Sequence, residues 1–149
     1  AFGSVSAPQI ARRSFKIACR LTSEPGKVSE GMIVAHGGSS VGYALYASEG
    51  KVVFALRSSN DEITRLFMPV STVKAVNVEA SLSQTGLARL TIDTPNGAEL
   101  TVGSELGAAL SRQPQEDFCI GHDNRNPVDP KAPKKPCTGL VENLIVTAK

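Results

Sequence analysis

The chain has 149 residues, enough for one domain with a buried two-layer core. Hydrophobic residues make up 41% and charged residues 20%, and the formal net charge of +2 is too small to indicate nucleic-acid binding. No apolar run approaches the roughly 18 residues that a membrane-spanning helix needs. Ala1–Ile10 lacks the pattern of a signal peptide, and we expect residues 1–13 to form an extended N-terminal segment.

Short apolar or alternating runs, broken by turn residues, recur along the chain and predict strands. Phe15–Leu21 alternates with a period of two, whereas Gly31–Ala35 is continuously apolar, as in a strand covered on both faces. The later runs are Tyr43–Ala47, Lys51–Arg57, Glu62–Phe67, Ala75–Leu82, Ala88–Asp93, Glu99–Val102, Phe118–Gly121 and Leu140–Thr147. Ser104–Leu110 has room for no more than one helical turn.

These runs predict an all-β fold, a two-sheet antiparallel β-sandwich that forms a single domain over residues 1–149. The sheets are expected to be antiparallel because no amphipathic helix is available to connect parallel strands. The first and last runs are expected to pair as neighbours. The strongest turn is Thr94–Gly97, which joins two of the later strands.

A second hairpin joins Tyr43–Ala47 to Lys51–Arg57 through the turn Ser48-Glu49-Gly50. Side chains alternate along a strand, so Tyr43 and Tyr46 must point to opposite faces. By the same alternation, the second strand directs one set of side chains to the face of Tyr46, namely Val53, Ala55 and Arg57.

The segment Asp123–Pro136 carries four prolines and many polar groups, and it is predicted to be an exposed loop. Its oxygen-bearing side chains fit either a calcium site or turns that cap their own backbone, and they are Asp123, Asn124, Asn126 and Asp129. No cofactor is required by the sequence. Lys131, Lys134 and Lys135 fit either contacts with the acidic groups of a glycan or a solvated loop tip.

The three cysteines are Cys19, Cys119 and Cys137, none of them in a Cys-x-x-Cys pair. Cys19 lies at an apolar position of an alternating strand and is predicted to be a buried thiol. Cys119 and Cys137 flank the long loop, and either a disulfide that closes the loop or simple burial fits them.

Catalytic motifs are not found in the sequence. His36 lies in a turn-like context beside two glycines and His122 precedes Asp123, so each is either a ligand contact or an ordinary loop residue. Asp61 and Glu62 are adjacent and would point to opposite faces of a strand, unlike the facing acids of a glycosidase. No nucleophile elbow, zinc-binding pair or phosphate-binding loop is present. We therefore predict no catalytic residue.

The stretch Gly31–Phe54, with Ile-Val-Ala-His-Gly-Gly and Gly-Tyr-Ala-Leu-Tyr, resembles the β-rich C-terminal part of bacterial arylsulfatase-like proteins and the laminin-G and concanavalin-like group. Leu90–Asp93, Phe118–Gly121 and Cys137–Val146 are similar to later strands of that group. The resemblance implies a concanavalin-like jelly roll, and it does not imply sulfatase activity, because the catalytic Cys/Ser-x-Pro-x-Arg motif is absent. The chain departs from the group at Cys137, which replaces an aromatic residue, and at Thr72-Val73, where Trp-His is often found.

Three functions are compatible with these observations. The first is an extracytoplasmic glycan-binding or positioning module beside a sulfatase- or glycosidase-type partner, with candidate contacts on the concave sheet or rim at Tyr46, Arg57, His36 and His122. The second is a structural domain that packs on a catalytic partner or on another copy of itself as a homodimer. The third, a polysaccharide hydrolase, is disfavoured because the paired acids are missing.

Overall fold

The computed structural model describes residues 9–24, 27–70, 75–93, 99–114, 118–121 and 127–149. Its ten strands are β1 (Phe15–Thr22), β2 (Gly31–Gly37), β3 (Gly42–Ser48), β4 (Lys51–Ser59), β5 (Glu62–Pro69), β6 (Ala75–Leu82), β7 (Leu87–Asp93), β8 (Glu99–Glu105), β9 (Phe118–Ile120) and β10 (Leu140–Ala148). The described residues contain no helix, and thus none long and apolar enough to cross a membrane. The predicted all-β fold class is confirmed.

The strands form two antiparallel sheets of five. The first sheet has the order β10-β1-β6-β7-β8, and the second sheet has the order β5-β4-β3-β2-β9. The predicted pairing of the first and last strands is confirmed, with Phe15 opposite Ala148 and Thr22 opposite Leu140. The turn at Thr94–Gly97 lies outside the described residues, whereas the hairpin turn at Glu49-Gly50 has the positive φ angles (52° and 78°) that a tight β-hairpin requires.

The main core fills the space between the two sheets. Strand β1 alternates strictly, so that Ile17, Cys19 and Leu21 are buried while Lys16 and Arg20 are exposed. The facing strands of the second sheet supply the other half of the core with large side chains, among them Tyr43, Leu45, Phe54 and Leu56. Each fully buried aliphatic or aromatic side chain contributes about 1.5–3 kcal/mol, so this layer holds the sandwich together.

A second, smaller apolar cluster lies on the opposite, outer face of the second sheet. It consists of Met32, Ala35, Ala44, Tyr46, Val53, Ala55 and Val128. Six of these residues belong to β2, β3 and β4, and the seventh, Val128, comes from the proline-rich segment. A segment outside the sheet therefore covers this face. We call residues 127–136 the strap, because they lie across the outer face of the second sheet.

The strap corrects the prediction of a simply exposed loop at Asp123–Pro136. Val128 and Asp129 are buried, although Pro130 and Lys131 beside them are exposed. The sheet accommodates Val128 because three alanines, Ala35, Ala44 and Ala55, are aligned across adjacent strands and leave a furrow. The polar composition of the segment concealed this packing, since only Val128 and the small side chain of Ala132 make it.

The far end of the strap pairs with the edge of β2. The Met32 amide donates to the Lys135 carbonyl at 2.8 Å, and the Cys137 amide donates to the Met32 carbonyl at 3.0 Å. Gly31 permits this approach, because a Cβ atom there would lie 2.3 Å from the Pro136 carbonyl oxygen and its φ of +133° is one that other residues rarely adopt. The strap is thus held at both ends.

No disulfide joins the three cysteines. Cys119 pairs with Ala35, whereas Cys137 lies beside Met32, three residues further along β2. Both cysteines are free thiols in this structure, Cys119 buried and Cys137 half-buried, and a disulfide that closes the loop stays a prediction.

Candidate functional site

The outer face of the second sheet holds two of the predicted ligand residues, but the strap covers both. Tyr46 and Arg57 point away from the main core, as the alternation predicted. Their side chains are nevertheless only 3% and 7% exposed. The strap covers this part of the sheet, and Tyr46 also contributes to the lining of a cleft beside the strap. Ligand contact by Tyr46 and Arg57 stays a prediction.

The predicted ligand residue His36 lies in the interior. Its ring is 5.7 Å from those of Tyr43 and Phe118, edge to face in both cases, and only 4% of the residue is exposed. A strand residue facing the opposite sheet has no path to a ligand in solution, so the structure assigns His36 to the aromatic core. His122, Asp123 and Asn124 lie outside the described residues.

The carboxylate of Asp129 is the centre of a buried polar cluster beneath the strap. Its side chain is fully buried. Oδ1 accepts from Arg65 Nη2 at 2.7 Å and from the Lys131 amide at 2.9 Å. Oδ2 accepts from Arg65 Nε at 2.7 Å and from the Tyr46 hydroxyl at 2.7 Å. Four donors and one cationic partner compensate the cost of burying the charge.

These contacts shift the acid–base properties of both partners. Burial alone would raise the pKa of Asp129, but the bonds from Arg65, Tyr46 and the Lys131 amide outweigh it and leave that pKa below its ordinary value. The pKa of Tyr46 is raised, first by burial and then by its bond to the Asp129 carboxylate. The cluster is therefore an ionised carboxylate held by a phenol and a guanidinium at neutral pH.

Arg57 fixes the strap through its backbone. Its Nε donates to the Val128 carbonyl at 2.9 Å, and its Nη1 donates to the Asn60 carbonyl at 3.1 Å. A buried guanidinium needs such acceptors to offset its lost hydration. Arg57 therefore holds residue 128 in the alanine furrow, which is a structural role.

The predicted calcium site has one described member, Asp129. Both of its oxygens already accept hydrogen bonds, so a calcium ion would have to displace Arg65 or Tyr46 from them. Within the described ranges, no group of three or more histidine, cysteine or acidic residues is placed to hold a metal ion. Calcium binding at Asp123, Asn124 and Asp129 stays a prediction.

An open cleft of about 270 Å³ lies beside the strap, over β3, β4 and β5. Arg65 and Phe67 line it from β5, Lys51 from β4 and Lys131 from the strap, and Glu49 lies at its edge. The Phe67 side chain is conspicuous because this large apolar residue is 55% exposed. Lys51 Nζ lies 5.0 Å from the centroid of its ring, a cation–π contact that steadies the ring.

Sequence reasoning missed Arg65 and Phe67, although a signal for them was present. The residue between them, Leu66, is buried in the main core, so both flanking side chains must point outward. Extending the hairpin register by one strand places Arg65 opposite Ala55 and Phe67 opposite Val53, on the face already assigned to Tyr46. The sequence analysis assigned faces only for β3 and β4. It therefore identified the covered residues of the site but not the exposed residues on β5.

The cleft provides one aromatic surface and several cationic hydrogen-bond donors. Among the described lining residues, Glu49 is the exposed acid. The Asp129 carboxylate is buried beneath the strap and is paired with Arg65. Glycoside hydrolysis uses two acids facing each other across the substrate, whereas both oxygens of Asp129 already accept hydrogen bonds from the protein. The arrangement is suited to binding, because convergent donors around an apolar surface are typical of ligand sites.

No protein-family profile and no curated protein matches this chain. Among solved structures it is similar to domains LG4-5 of the mouse laminin α1 chain, with a TM-score of 0.65 and 16% identity over 95% of this chain and 37% of that one. The CBM40 domain of a Ruminococcus gnavus IT-sialidase, solved bound to α2,3-sialyllactose, has a TM-score of 0.63 and 15% identity over 91% of this chain and 76% of that one.

The LG1-3 region of the laminin α2 chain is also similar, with a TM-score of 0.70 and 12% identity over 89% of this chain and 26% of that one. The chain thus spans little more than a third of the laminin α1 structure and about a quarter of the laminin α2 structure. These similarities do not address the arylsulfatase-like resemblance, which stays a prediction. At such low identities they establish the fold alone, a two-sheet sandwich similar to those of laminin G and carbohydrate-binding module domains.

Proposed function

We propose that this chain is a non-catalytic β-sandwich module that binds a glycan in the cleft beside the strap. The observation that carries the proposal is the exposed ring of Phe67 next to the donors of Arg65 and Lys131, all attached to a sheet or to a strap that the sheet holds. The apolar face of a sugar ring stacks on an aromatic side chain, while its hydroxyls bond to neighbouring polar groups.

The similarity to a carbohydrate-binding module supports this proposal, since that domain was solved with an oligosaccharide bound. The rigidity of the site supports it too. Phe67 lies on a strand rather than on a loop, and the strap that carries Lys131 is anchored by Asp129. A preorganised site loses less entropy when it binds a flexible ligand.

The test is a glycan array followed by calorimetry on the glycans that bind. Phe67→Ala is expected to weaken binding by about tenfold, because one stacking surface is worth roughly 1.4 kcal/mol in such a site. Ile145→Ala is the matched control, since Ile145 is equally exposed, at 56%, but lies in the first sheet. Its affinity should equal that of the wild type.

The alternative function, a structural or dimerisation domain, predicts the opposite outcome. A uniform failure to bind on the array, together with a stable dimer in light scattering, would replace the glycan proposal by that one. Running the array with and without calcium tests the calcium prediction at Asp123, Asn124 and Asp129 in the same experiment.

We further propose that the module acts outside the cytoplasm beside a sulfatase- or glycosidase-type partner. This proposal follows from the sequence resemblance and from the binding role, since modules of this kind hold a substrate near the enzyme that acts on it. The neighbouring coding sequence tests it directly. A hydrolase domain there supports the accessory role, and an unrelated cytoplasmic operon contradicts it.

A further inference from the structure

The guanidinium of Arg65 is oriented by Asp129 in a way that leaves part of it available. An arginine side chain has five N–H donors. Nε and one hydrogen of Nη2 are directed to the Asp129 carboxylate, at 2.7 Å each. The guanidinium also interacts with the Tyr46 hydroxyl, which itself donates to Asp129. The three remaining N–H groups include the whole of Nη1.

The Arg65 side chain is partly exposed at the cleft. Arg65 lines that cleft, and 27% of its side chain is exposed while its partner carboxylate is fully buried. The Nη1 and Nη2 atoms form a planar fork whose spacing matches the two oxygens of a carboxylate or two oxygens of a sulfate. Because the other side of the group is clamped, this fork is fixed before any ligand arrives.

The surrounding charges favour the same class of ligand. Lys51 and Lys131 line the cleft with Arg65, and Glu49 is the acid among the lining residues, with the Glu30 carboxylate accepting from its backbone amide. The remaining hydrogen-bonding capacity of the cations is donor capacity, which an acceptor-only group such as a carboxylate or sulfate satisfies. A neutral sugar hydroxyl offers a weaker partner for each donor.

We infer that the ligand of the cleft is an acidic saccharide, and that the outward fork of Arg65 binds its carboxylate or sulfate group while Asp129 positions that fork. The inference rests on the proposed function, and it names the ligand class of the same cleft. Asp129 does not touch the ligand and is a positioning residue, whereas Arg65 determines specificity.

The experiment compares matched ligands on the wild-type protein. An oligosaccharide with one uronic or sialic acid is measured beside its methyl ester, and a sulfated oligosaccharide beside its desulfated form, by calorimetry at low and at physiological salt. The acidic member of a pair is expected to bind at least tenfold more tightly, with an affinity that falls as salt rises. The pair that discriminates identifies carboxylate or sulfate as the group that is bound.

Variants then locate the acidic contact. Arg65→Lys keeps the charge but removes the fork, so the acidic ligand is expected to lose about tenfold in affinity while the neutral one is unchanged. Arg89→Gln is the control, because Arg89 is an exposed cation of the first sheet, remote from the cleft. Asp129→Asn, measured where circular dichroism indicates a folded protein, should lower the ratio of acidic to neutral affinity. A purely structural role would lower both affinities together.

Two results would overturn the inference, and they are distinguishable. Equal binding of the acidic and neutral members, with no effect of Arg65→Lys, refutes the acidic ligand class but leaves glycan binding in the cleft intact. Failure of every glycan to bind refutes the proposed function and this inference with it.

Discussion

At the scale of single residues, two tyrosines of strand β3 differ by one hydrogen bond. The Tyr46 hydroxyl donates to Asp129 at 2.7 Å beneath the strap. The Tyr43 hydroxyl is buried in the main core and has no hydrogen-bond partner within the described residues. A buried hydroxyl without a partner costs free energy, whereas one bonded to a carboxylate stabilises the fold.

Tyr46→Phe is therefore expected to lower the free energy of unfolding by about 1.5–3 kcal/mol, because it removes a hydrogen bond to a charged group. Tyr43→Phe is the matched control and should leave that free energy unchanged or raised. Urea unfolding followed by circular dichroism measures both. Equal losses in the two variants would show that the bond to Asp129 contributes nothing measurable.

At the scale of elements, the strap is an irregular segment held to the second sheet by a buried ion pair, by hydrogen bonds from Tyr46 and Arg57, by backbone pairing with Met32 and by Val128 in the furrow. Its attachment depends on the ionised state of Asp129, whose pKa is lowered in the folded protein. A group of this kind stabilises the fold above its unfolded-state pKa of about 3.9. That stability is lost as the pH falls through the lower folded-state pKa.

We therefore expect Asp129→Asn to be less stable than the wild type by about 2 kcal/mol at pH 7, with a difference that shrinks as the pH falls below about 4. Urea unfolding of both proteins between about pH 2.5 and about pH 7, in steps of about half a pH unit near the carboxyl pKa, measures this difference in stability. A difference that stays constant to the lowest pH would contradict an ionised Asp129 in the folded state.

The elements also show what sequence patterns can and cannot encode. Alternation in Phe15–Leu21 and continuous apolarity in Gly31–Ala35 predicted both strands, because burial on one or two faces leaves a local record in the sequence. The partnership of Asp129 with Arg65 leaves none, since 64 residues separate them and both are polar. The sequence predicted that Tyr46 lies on the outer face. It did not predict the residue that covers Tyr46, or Arg65 and Phe67 at the exposed side of the cleft.

At the scale of the whole molecule, the sandwich presents two outer faces of different character. In the first sheet, β1, β6 and β7 are alternately buried and exposed, so the outer face of these three strands is open and polar. The second sheet is buried on both sides along β2, β3 and β4, and its outer face ends in the strap and the cleft. This asymmetry places the candidate ligand site on one face of the molecule, next to a segment that its own sheet holds in position.

The most direct test of the central claim is a titration of ¹⁵N-labelled protein with an acidic oligosaccharide, followed by backbone amide chemical shifts. The account predicts that the largest shift changes occur in β3, β4, β5 and the strap, around Lys51, Arg65 and Phe67. Shift changes confined to the outer face of the first sheet, around Lys16 and Arg89, would contradict it.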